Sequence, residues 1–431
     1  MKIDPAAEDA FAQEAGLWQV LSRLRGEFSL KQTFSSLHHP NYRLWFWGQM
    51  ISLFGTWMQV TTQGFLVYEL TRSSAYLGYV GFAAGLPSWL LMPLGGVVAD
   101  RMSRRDLLLI TQAFMMCLAF CLAGLTFLKI VEPWHIIGLA FLLGSANAFD
   151  APARHAFVAD MVGREDLTNA IALNSTIFNS ATVVGPAVAG VTYALFGPGW
   201  CFLINALSFC AVIAALLVMN LQRAARITPN SSPWQDLKEG FGYVLSHPMI
   251  RALVGLVGIT SAFGVSFVVL IPAWAAKILY GDATTNGWLY SARGAGALLG
   301  ALVIASLGRL SFRGMLLSLG TFAFPLLLLG FAFVRSLPLS LLLILANGVT
   351  AVLIFNLANA LVQTLVRDEL RGRVMAIYSL TFFGFMPVGA LLIGTEAEHL
   401  GEPVAIIINS IVMAAFSVVI WIFLPRLRRL S

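Results

Sequence analysis

The chain has 431 residues, of which 58% are hydrophobic and 11% are charged. A soluble globular protein carries roughly 45–50% apolar and about 25% charged residues, so this chain has too few charges to cover a soluble surface. The composition excludes a soluble enzyme, a disordered chain and a disulfide-stapled secreted domain, and it predicts an all-α integral membrane protein. The net charge of +6 is interpreted as membrane topology, with no nucleic-acid partner.

The first 41 residues are predicted to form a cytoplasmic tail. Acidic residues from Asp4 to Glu14 interrupt its apolar positions, so it lacks the core of a signal peptide. Four apolar residues favour an interfacial helix in part of the tail: Trp18, Val20, Leu21 and Leu24.

Twelve apolar runs follow, each close to the about 20 residues that cross a bilayer. The weakest are the fifth, which carries Asn174, Asn179 and Ser180, and the eighth, which is rich in glycine. The predicted spans are 44–68, 76–98, 106–128, 134–153, 168–196, 199–220, 250–276, 285–308, 314–334, 337–361, 374–395 and 403–424.

The distribution of Lys and Arg predicts the orientation of these spans. With the N-terminus inside, the inner segments hold 22 of the 27 basic residues, the outer segments hold four, and Arg293 lies within a span. Cytoplasmic loops are enriched in Lys and Arg, so both termini are predicted to be cytoplasmic in a multi-pass protein of the cytoplasmic membrane.

A long polar segment divides the spans six to six. The predicted organisation is a tail at 1–41, a six-helix bundle at 42–220, a linker at 221–249, a second bundle at 250–424 and a tail at 425–431. Trp234, Leu237, Phe241 and Leu245 recur at helical spacing, so part of the linker is expected on the membrane surface.

The two halves also resemble each other. The fifth span holds GPAVAG at 185–190 and the eleventh holds PVGALLIG at 387–394, with Pro186 and Pro387 lying 201 residues apart. Each stretch follows a charged inner turn. This weak symmetry is expected of a transporter built from two homologous bundles, the alternative being coincidence between glycine-rich helices.

The loop between spans two and three reads GVVADRMSRR at 96–105. It resembles the loop signature of the major facilitator superfamily, although Val98 and Ser103 depart from the usual residues. The stretches at 41–59 and 148–162 resemble more specifically the drug:proton antiporter-3 branch, the transmembrane secretion effectors, which includes enterobactin-type siderophore exporters. The resemblance implies twelve transmembrane helices in two pseudo-symmetric six-helix bundles. It also implies export of an amphipathic small molecule, a siderophore or a hydrophobic drug, by proton antiport.

The loop is the predicted gate. Asp100 ends a helix whose C-terminus already carries partial negative charge, so it needs a compensating partner. Arg371 and Arg373 before the eleventh span, and Arg154, are candidates for a charge cluster that forms when the cytoplasmic side closes. Alternatively, the loop arginines only fix topology and meet anionic lipid. The predicted gating residues of the loop are Gly96, Asp100, Arg101, Arg104 and Arg105.

Asp150 and Arg154 lie four residues apart at the inner end of span four and share a helix face. Pro152 between them is expected to kink or end that helix. An acidic group at membrane depth is a candidate proton carrier, and the alternative is a fixed ion pair at the membrane surface.

Polar residues inside spans are candidates for substrate binding, because groups at membrane depth need partners. Gln59 and Gln63 lie four apart in the first span, with Thr56 on nearly the same face, and Asn179 and Asn356 carry the same interpretation. Helix-to-helix hydrogen bonds are the alternative for all four. Arg293 is expected to meet an anionic substrate group or to pair internally with Glu69 or Asp282.

Gly185 and Pro186 resemble the fifth-span signature of antiporters in this superfamily and predict a hinge or a tight interface. Gly81 with Gly85, and Gly296 with Gly300, are expected to permit close helix packing. The four cysteines lie in apolar runs, and we find no ATP-binding loop, metal motif or catalytic motif. The prediction is therefore a monomeric transporter with no cofactor, no metal and no enzymatic activity. The alternatives are a lysophospholipid transporter and a transport-dead sensor or scaffold.

Overall fold

The structure is a computed structural model that describes residues 34–220, 233–306, 312–423, 425 and 427–429. The predicted interfacial helix near Trp18 and the first part of the predicted linker lie outside these residues. Every regular element in the described part of the chain is a helix, and no strand is present there. The long helices are α1 Pro40–Thr71, α2 Ser74–Arg101, α3 Arg104–Phe127, α4 Pro133–Met161, α5 Leu167–Phe196, α6 Pro198–Val218, α7 Pro233–Ser246, α8 Pro248–Ile278, α9 Ala283–Ser306, α10 Arg313–Phe333, α11 Leu337–Leu365, α12 Arg371–Leu400 and α13 Glu402–Phe423.

Local sequence explains where several of these helices begin and end. A proline opens α1, α4, α6 and α8, where the first turn has no use for the missing N–H. Gly197 and Gly401 end α5 and α12 with φ angles of 88° and 87°. Such angles are strained for a residue with a Cβ, so glycine makes these sharp turns possible. Pro152 does not end α4, which continues to Met161; of the two effects expected of this proline, the helix end is wrong and the kink stays a prediction.

Eleven helices of the described chain are long and apolar enough to cross a membrane. Both spans that the sequence marked as weakest, α5 and α9, are among them. The 32-residue helix α1 is not, because polar residues such as Gln49, Gln59 and Gln63 lower its hydropathy. The molecule is a multi-pass membrane protein.

Helix α8 is broken, where the sequence predicted a continuous span. An α-helix to Ile259 is followed by a π turn at Thr260–Gly264, a 3-10 segment at Val265–Leu270 and a second π turn at Trp274–Ile278. A methyl group added at Gly389 of α12 would lie 2.0 Å from the carbonyl oxygen of Ala262. The irregular segment therefore packs backbone to backbone against α12, and such turns are frequent at functional sites.

The helices before and after α7 pack in the same pattern. Helix α1 contacts α5 and α6, α2 contacts α4, and α3 contacts α4 and α6. In the second set, α9 contacts α11, α10 contacts α11 and α13, and α8 contacts α12. The two sets, α1–α6 and α8–α13, meet mainly through α2 against α12 and α5 against α9.

These two contacts between the sets are made by small residues. A methyl group added at Gly78 would lie 2.7 Å from the carbonyl oxygen of Ala390, and one at Gly287 would lie 2.5 Å from that of Pro186. One at Gly85 would lie 2.1 Å from Cγ of Pro387. Both repeated prolines thus lie at the boundary between the sets, in tight interfaces rather than at open bends.

We name the two ends of the molecule after Asp100 and Glu402. The Asp100 end holds the ends of α2, α4 and α12 near Arg101, Met161 and Arg371. The Glu402 end holds the opposite ends of the same helices, near Ser74, Pro133 and Leu400.

Candidate functional site

A cavity of about 170 Å³ lies among α1, α3, α4, α5 and α6. More than half of the side chains that line it are polar, although the surrounding helices are strongly apolar. Its polar lining is Gln49, Ser52, Thr56, Gln59, Gln112, Asn147, Asp150, Arg154 and Asn205. Its apolar lining includes Trp57, Phe178 and Phe209. The cavity is large enough for a polar head group or a few waters, but it is smaller than the roughly 300 Å³ at which drug-sized pockets begin.

Asp150 is the acidic centre of this cavity and is only 1% exposed. Its Oδ1 accepts hydrogen bonds from the Thr111 hydroxyl at 2.9 Å and the Gln112 amide at 2.8 Å. Its Oδ2 lies 3.6 Å from Nε of Arg154, whose side chain is 20% exposed. The predicted i, i+4 pair is present, and it lies inside the helix set rather than at a free surface. A buried charge of this kind is costly unless it is compensated.

Two buried amide oxygens in the cavity lining have no hydrogen-bond donor. They belong to Gln49 and Gln112, each 2% exposed. Gln112 uses its amide nitrogen on Asp150, so its oxygen is left facing elsewhere. Unsatisfied buried acceptors are uncommon in folded proteins. The cavity can therefore accept a ligand group or water that donates hydrogen bonds.

Gln59 lines the cavity, and its side-chain oxygen accepts a hydrogen bond from the Asn205 amide at 2.6 Å. Gln59 thus makes the hydrogen bond between helices that was the alternative to substrate binding. Because it also lines the cavity, it lies near any ligand bound there. Gln63 is buried but does not line the cavity. The two glutamines therefore do not act as one surface in this conformation.

Arg293 lies on α9, outside the cavity, and is partly exposed. The internal pairs expected for it are wrong. Glu69 accepts a hydrogen bond from the Tyr193 hydroxyl, and Asp282 caps α9 through Thr285 at 3.0 Å. Arg293 makes no ion pair with a described residue, and its electrostatic neighbour is Tyr290. It stays a candidate for an anionic group.

The two asparagines proposed to bind substrate lie away from the cavity lining. The Asn179 amide donates to the Ser175 carbonyl of its own helix at 2.9 Å. Asn356 on α11 is exposed. Sequence reasoning missed Gln49, Gln112, Asn147 and Asn205, although the rule that singled out Gln59 applies to them equally.

The predicted gate residues are placed at the Asp100 end, and none of them contacts α8–α13 through an ion pair among the described residues. Asp100 and Arg101 are exposed. Arg104 pairs with Asp160 at 2.7 Å, and Arg105 donates to the Leu217 carbonyl at 2.9 Å. A methyl group at Gly96 would meet nothing within 4 Å. In this conformation the loop is not closed against α8–α13.

The expected partners of Asp100 are occupied elsewhere. Arg371 pairs with Asp368. Arg373 pairs with Asp236 at 2.7 Å and with Glu239 at 2.5 Å, both on helix α7 of the linker. The linker helix predicted from sequence is therefore present, and its acidic residues pair with Arg373, one of the proposed partners of Asp100. Phe241 and Leu245 on it are exposed, whereas Leu237 packs against the core of α8–α13.

Comparison with known proteins identifies the family. The family model of transmembrane secretion effectors matches residues 31–430. The chain belongs to the transmembrane secretion effector family of the major facilitator superfamily. A staphyloferrin A transporter of Staphylococcus aureus is 27% identical, covering 83% of this chain and 90% of its own length. The multidrug efflux pump Tap of Mycolicibacterium fortuitum is 27% identical, covering 88% of this chain and 94% of its own length. The enterobactin exporter EntS of Shigella boydii is 25% identical, covering 83% of this chain and 85% of its own length.

Solved structures show the same fold at low identity. The nucleoside transporter NupG, as a D323A mutant, superposes with a TM-score of 0.71 at 14% identity, covering 90% of this chain and 99% of the other. A bacterial homologue of the lysosomal transporter Spinster, solved in an inward-facing conformation, superposes with a TM-score of 0.68 at 11% identity, covering 93% and 99%. The chain is a membrane transporter of this superfamily and not an enzyme.

Proposed function

We propose that the chain is a proton-driven exporter of amphipathic small molecules, siderophores or hydrophobic drugs, in the cytoplasmic membrane. It works as a monomer of twelve spans in two six-helix bundles, 42–220 and 250–424, with both termini cytoplasmic. The similarity to a siderophore transporter, a drug pump and a siderophore exporter supports the substrate class. The repeated packing pattern on either side of α7 supports the two bundles.

The observation that carries the transport cycle is the unequal contact between the two helix sets. Among the described residues, the hydrogen bonds between α1–α6 and α8–α13 lie between the Glu402 end and the middle of the helices. At the Asp100 end, each ionic contact in the part of the chain that the structure describes stays within its own set or involves the linker. The Asp100 end is cytoplasmic by the distribution of Lys and Arg, so this state is open to the cytoplasm. Rocking of the sets then exposes the opposite side.

Asp150 is the proposed proton site. Its protonation removes the charge that compensates Arg154, so the net charge of the cavity rises by one. A cationic substrate group and a proton then disfavour each other's binding, and the linkage is reciprocal. Such competition is what antiport requires. An anionic group near Arg154 has the opposite linkage, so the charge of the substrate determines the sign of coupling through this cavity.

Transport by purified protein in proteoliposomes tests this function. An acidic interior is imposed, and uptake of a labelled siderophore and a lipophilic cationic dye is measured; molecules inserted inside-out perform export as uptake. We expect Asp150→Asn to abolish the dependence of dye uptake on the pH gradient. Glu132→Gln is the matched control, because it precedes the same helix at the end opposite the Asp150 pair and does not line the cavity.

Arg293→Ala in the same vesicles separates the two substrates. Selective loss of siderophore uptake places Arg293 in the substrate path. If neither compound moves under any gradient, the export proposal is wrong, and lysophospholipid movement is tested next. If the dye moves equally well in Asp150→Asn, export stands and Asp150 is not its proton site.

A further inference from the structure

Two carboxylates at the Glu402 end hold the start of α2 from the opposite helix set. Glu398, near the end of α12, accepts a hydrogen bond from the Ser73 hydroxyl at 2.8 Å and from the Ala75 backbone N–H at 3.2 Å. Glu402, at the start of α13, accepts from the Ser74 hydroxyl at 2.9 Å. These contacts link residues more than 320 positions apart in the chain.

Glu398 supplies a helix cap that α2 does not make with its own side chains in this structure. The first turn of a helix has N–H groups without intrahelical partners, and a negative charge there is favourable. Ser73 stands at the N-cap position but makes no capping hydrogen bond to its own helix. The carboxylate of α12 takes over this role. Helix α2 is therefore capped by the carboxylate of Glu398 only while the two sets are together at this end.

Glu402 is buried, with 2% of its side chain exposed, but it is not left uncompensated. Lys277 of α8 donates to it at 3.1 Å, and the Lys277 side chain is 55% exposed. Both residues belong to the set α8–α13. When the sets separate, the ion pair can stay together, and only the neutral Ser74 hydroxyl leaves. Breaking this contact thus avoids the cost of orphaning a buried charge.

The surroundings of these groups are compatible with a contact that breaks and reforms. Glycine and alanine make the adjacent backbone contacts, with Gly78 against Ala390 and Gly394. Lys277 lies within the second π turn of α8, and Pro272, just before that turn, packs against Gly64 of α1.

We propose that Ser73, Ser74, Glu398 and Glu402 form an outer latch whose serine-to-carboxylate hydrogen bonds hold the state that is open at the Asp100 end. Each bond across the latch joins a neutral donor to a charged acceptor. It is strong enough to bias the conformational equilibrium and weak enough to be exchanged for water. The latch rests on the proposed alternating access, although its test needs no substrate.

Cysteine labelling of the purified protein measures the latch directly, in a background lacking the four native cysteines. Ser291→Cys reports the Glu402 side, because Ser291 is 6% exposed and donates to the Val183 carbonyl of α5. Met102→Cys, at a position 41% exposed, reports the Asp100 end. The double variant Ser73→Ala with Ser74→Ala is compared with Ser340→Ala, a buried serine that makes no contact in the latch.

The double variant removes two hydrogen bonds to charged acceptors, and one such bond supports a shift on the order of tenfold. We therefore expect labelling of Ser291→Cys to rise on the order of tenfold or more. Labelling of Met102→Cys should fall in parallel, because the opposite end closes. Unchanged labelling at both positions overturns the latch. A rise at Ser291→Cys without a fall at Met102→Cys also overturns it, since that pattern indicates local loosening. If the reciprocal change in labelling is observed but neither test compound is transported, the latch is supported and only the proposed export function is wrong.

Discussion

The two ends of the molecule hold the helix sets by different means. At the Glu402 end, small residues bring backbones together, and neutral serines of one set meet carboxylates of the other. At the Asp100 end, charged residues are plentiful, but each ion pair between described residues lies within one set or on the linker. The difference teaches that the number of charges at an interface does not show where it is closed.

The largest expected effect comes from filling the close contact at the Glu402 end. In Gly78→Val, the added side chain meets the Ala390 carbonyl and the Gly394 Cα, which a methyl group would approach to 2.7 Å and 3.1 Å. Overpacking against backbone costs about 1–3 kcal/mol. We therefore expect labelling of Ser291→Cys to rise by roughly tenfold or more, and transport to fall to background.

Gly96→Val is the matched change at the other end, where nothing lies within 4 Å of an added methyl group. Labelling of both reporters should stay as in the unsubstituted protein. Transport should still slow if the loop closes during the cycle. The comparison fails if Gly78→Val labels like the parent, or if both valine variants open the Glu402 side equally.

The sequence predicted the helices well because each span carries its own composition signal. It missed the break in α8, where the π and 3-10 turns bring the Ala262 backbone against Gly389 of α12, a residue far away in the sequence. The fifth and eighth spans, expected to be the weakest, are among the least apolar of the eleven helices, but α1 is less apolar still. Helix α1 has low hydropathy because it carries several buried polar residues, some of which line the cavity. The periodicity of the sequence does not show which side of the helix faces the cavity.

The candidate site was predictable in part. Asp150, Arg154 and Gln59 were singled out as polar residues at membrane depth, and they do line one cavity. The outer latch was not predictable, because Glu398 and Glu402 lie near helix ends, where charged residues are ordinary. Their partners Ser73 and Ser74 are more than 320 positions away. Only the tertiary arrangement gives these residues a shared role.

A smaller effect is expected from releasing Arg373 at the Asp100 end. The pairs with Asp236 and Glu239 involve side chains that are 30–44% exposed, so each is worth about 0–1 kcal/mol. In Asp236→Asn with Glu239→Gln, Arg373 becomes available to Asp100 of the other set. We expect labelling of Met102→Cys to fall by about two- to fivefold, as closure becomes easier.

The control for this release is Asp368→Asn, which frees Arg371 from a neighbour on its own side while the linker contact stays intact. It should change labelling of Met102→Cys less than the double variant does. Equal effects would mean that general charge at this end, rather than the hold of the linker on Arg373, sets the equilibrium. Adding Asp100→Asn should cancel the effect of the double variant.

The smallest effect concerns a contact within one set at the Asp100 end, between the segment before α1 and the start of α5. The Ser35 hydroxyl donates to Asp166 at 2.6 Å, and His39 Nε2 lies 2.8 Å from the other oxygen of the same carboxylate. The hydrogen bond from Ser35, followed by that from His39, lowers the pKa of Asp166 below its ordinary value. The Ser36 backbone N–H also donates to the Asn169 side chain at 3.1 Å.

The depressed pKa fixes the sign of the pH dependence. This contact contributes fully above the ordinary Asp pKa of about 3.9 and is lost as the pH falls through the lower folded value. Amide exchange at Ser36 should therefore quicken relative to other protected amides only in strong acid. Ser35→Ala should move that onset to higher pH, whereas Ser340→Ala should not. Because this contact lies within the set α1–α6, Ser35→Ala should leave labelling of Met102→Cys at neutral pH as it is in the parent protein. A change there would show that this end is coupled to the second helix set through contacts that the open state does not display.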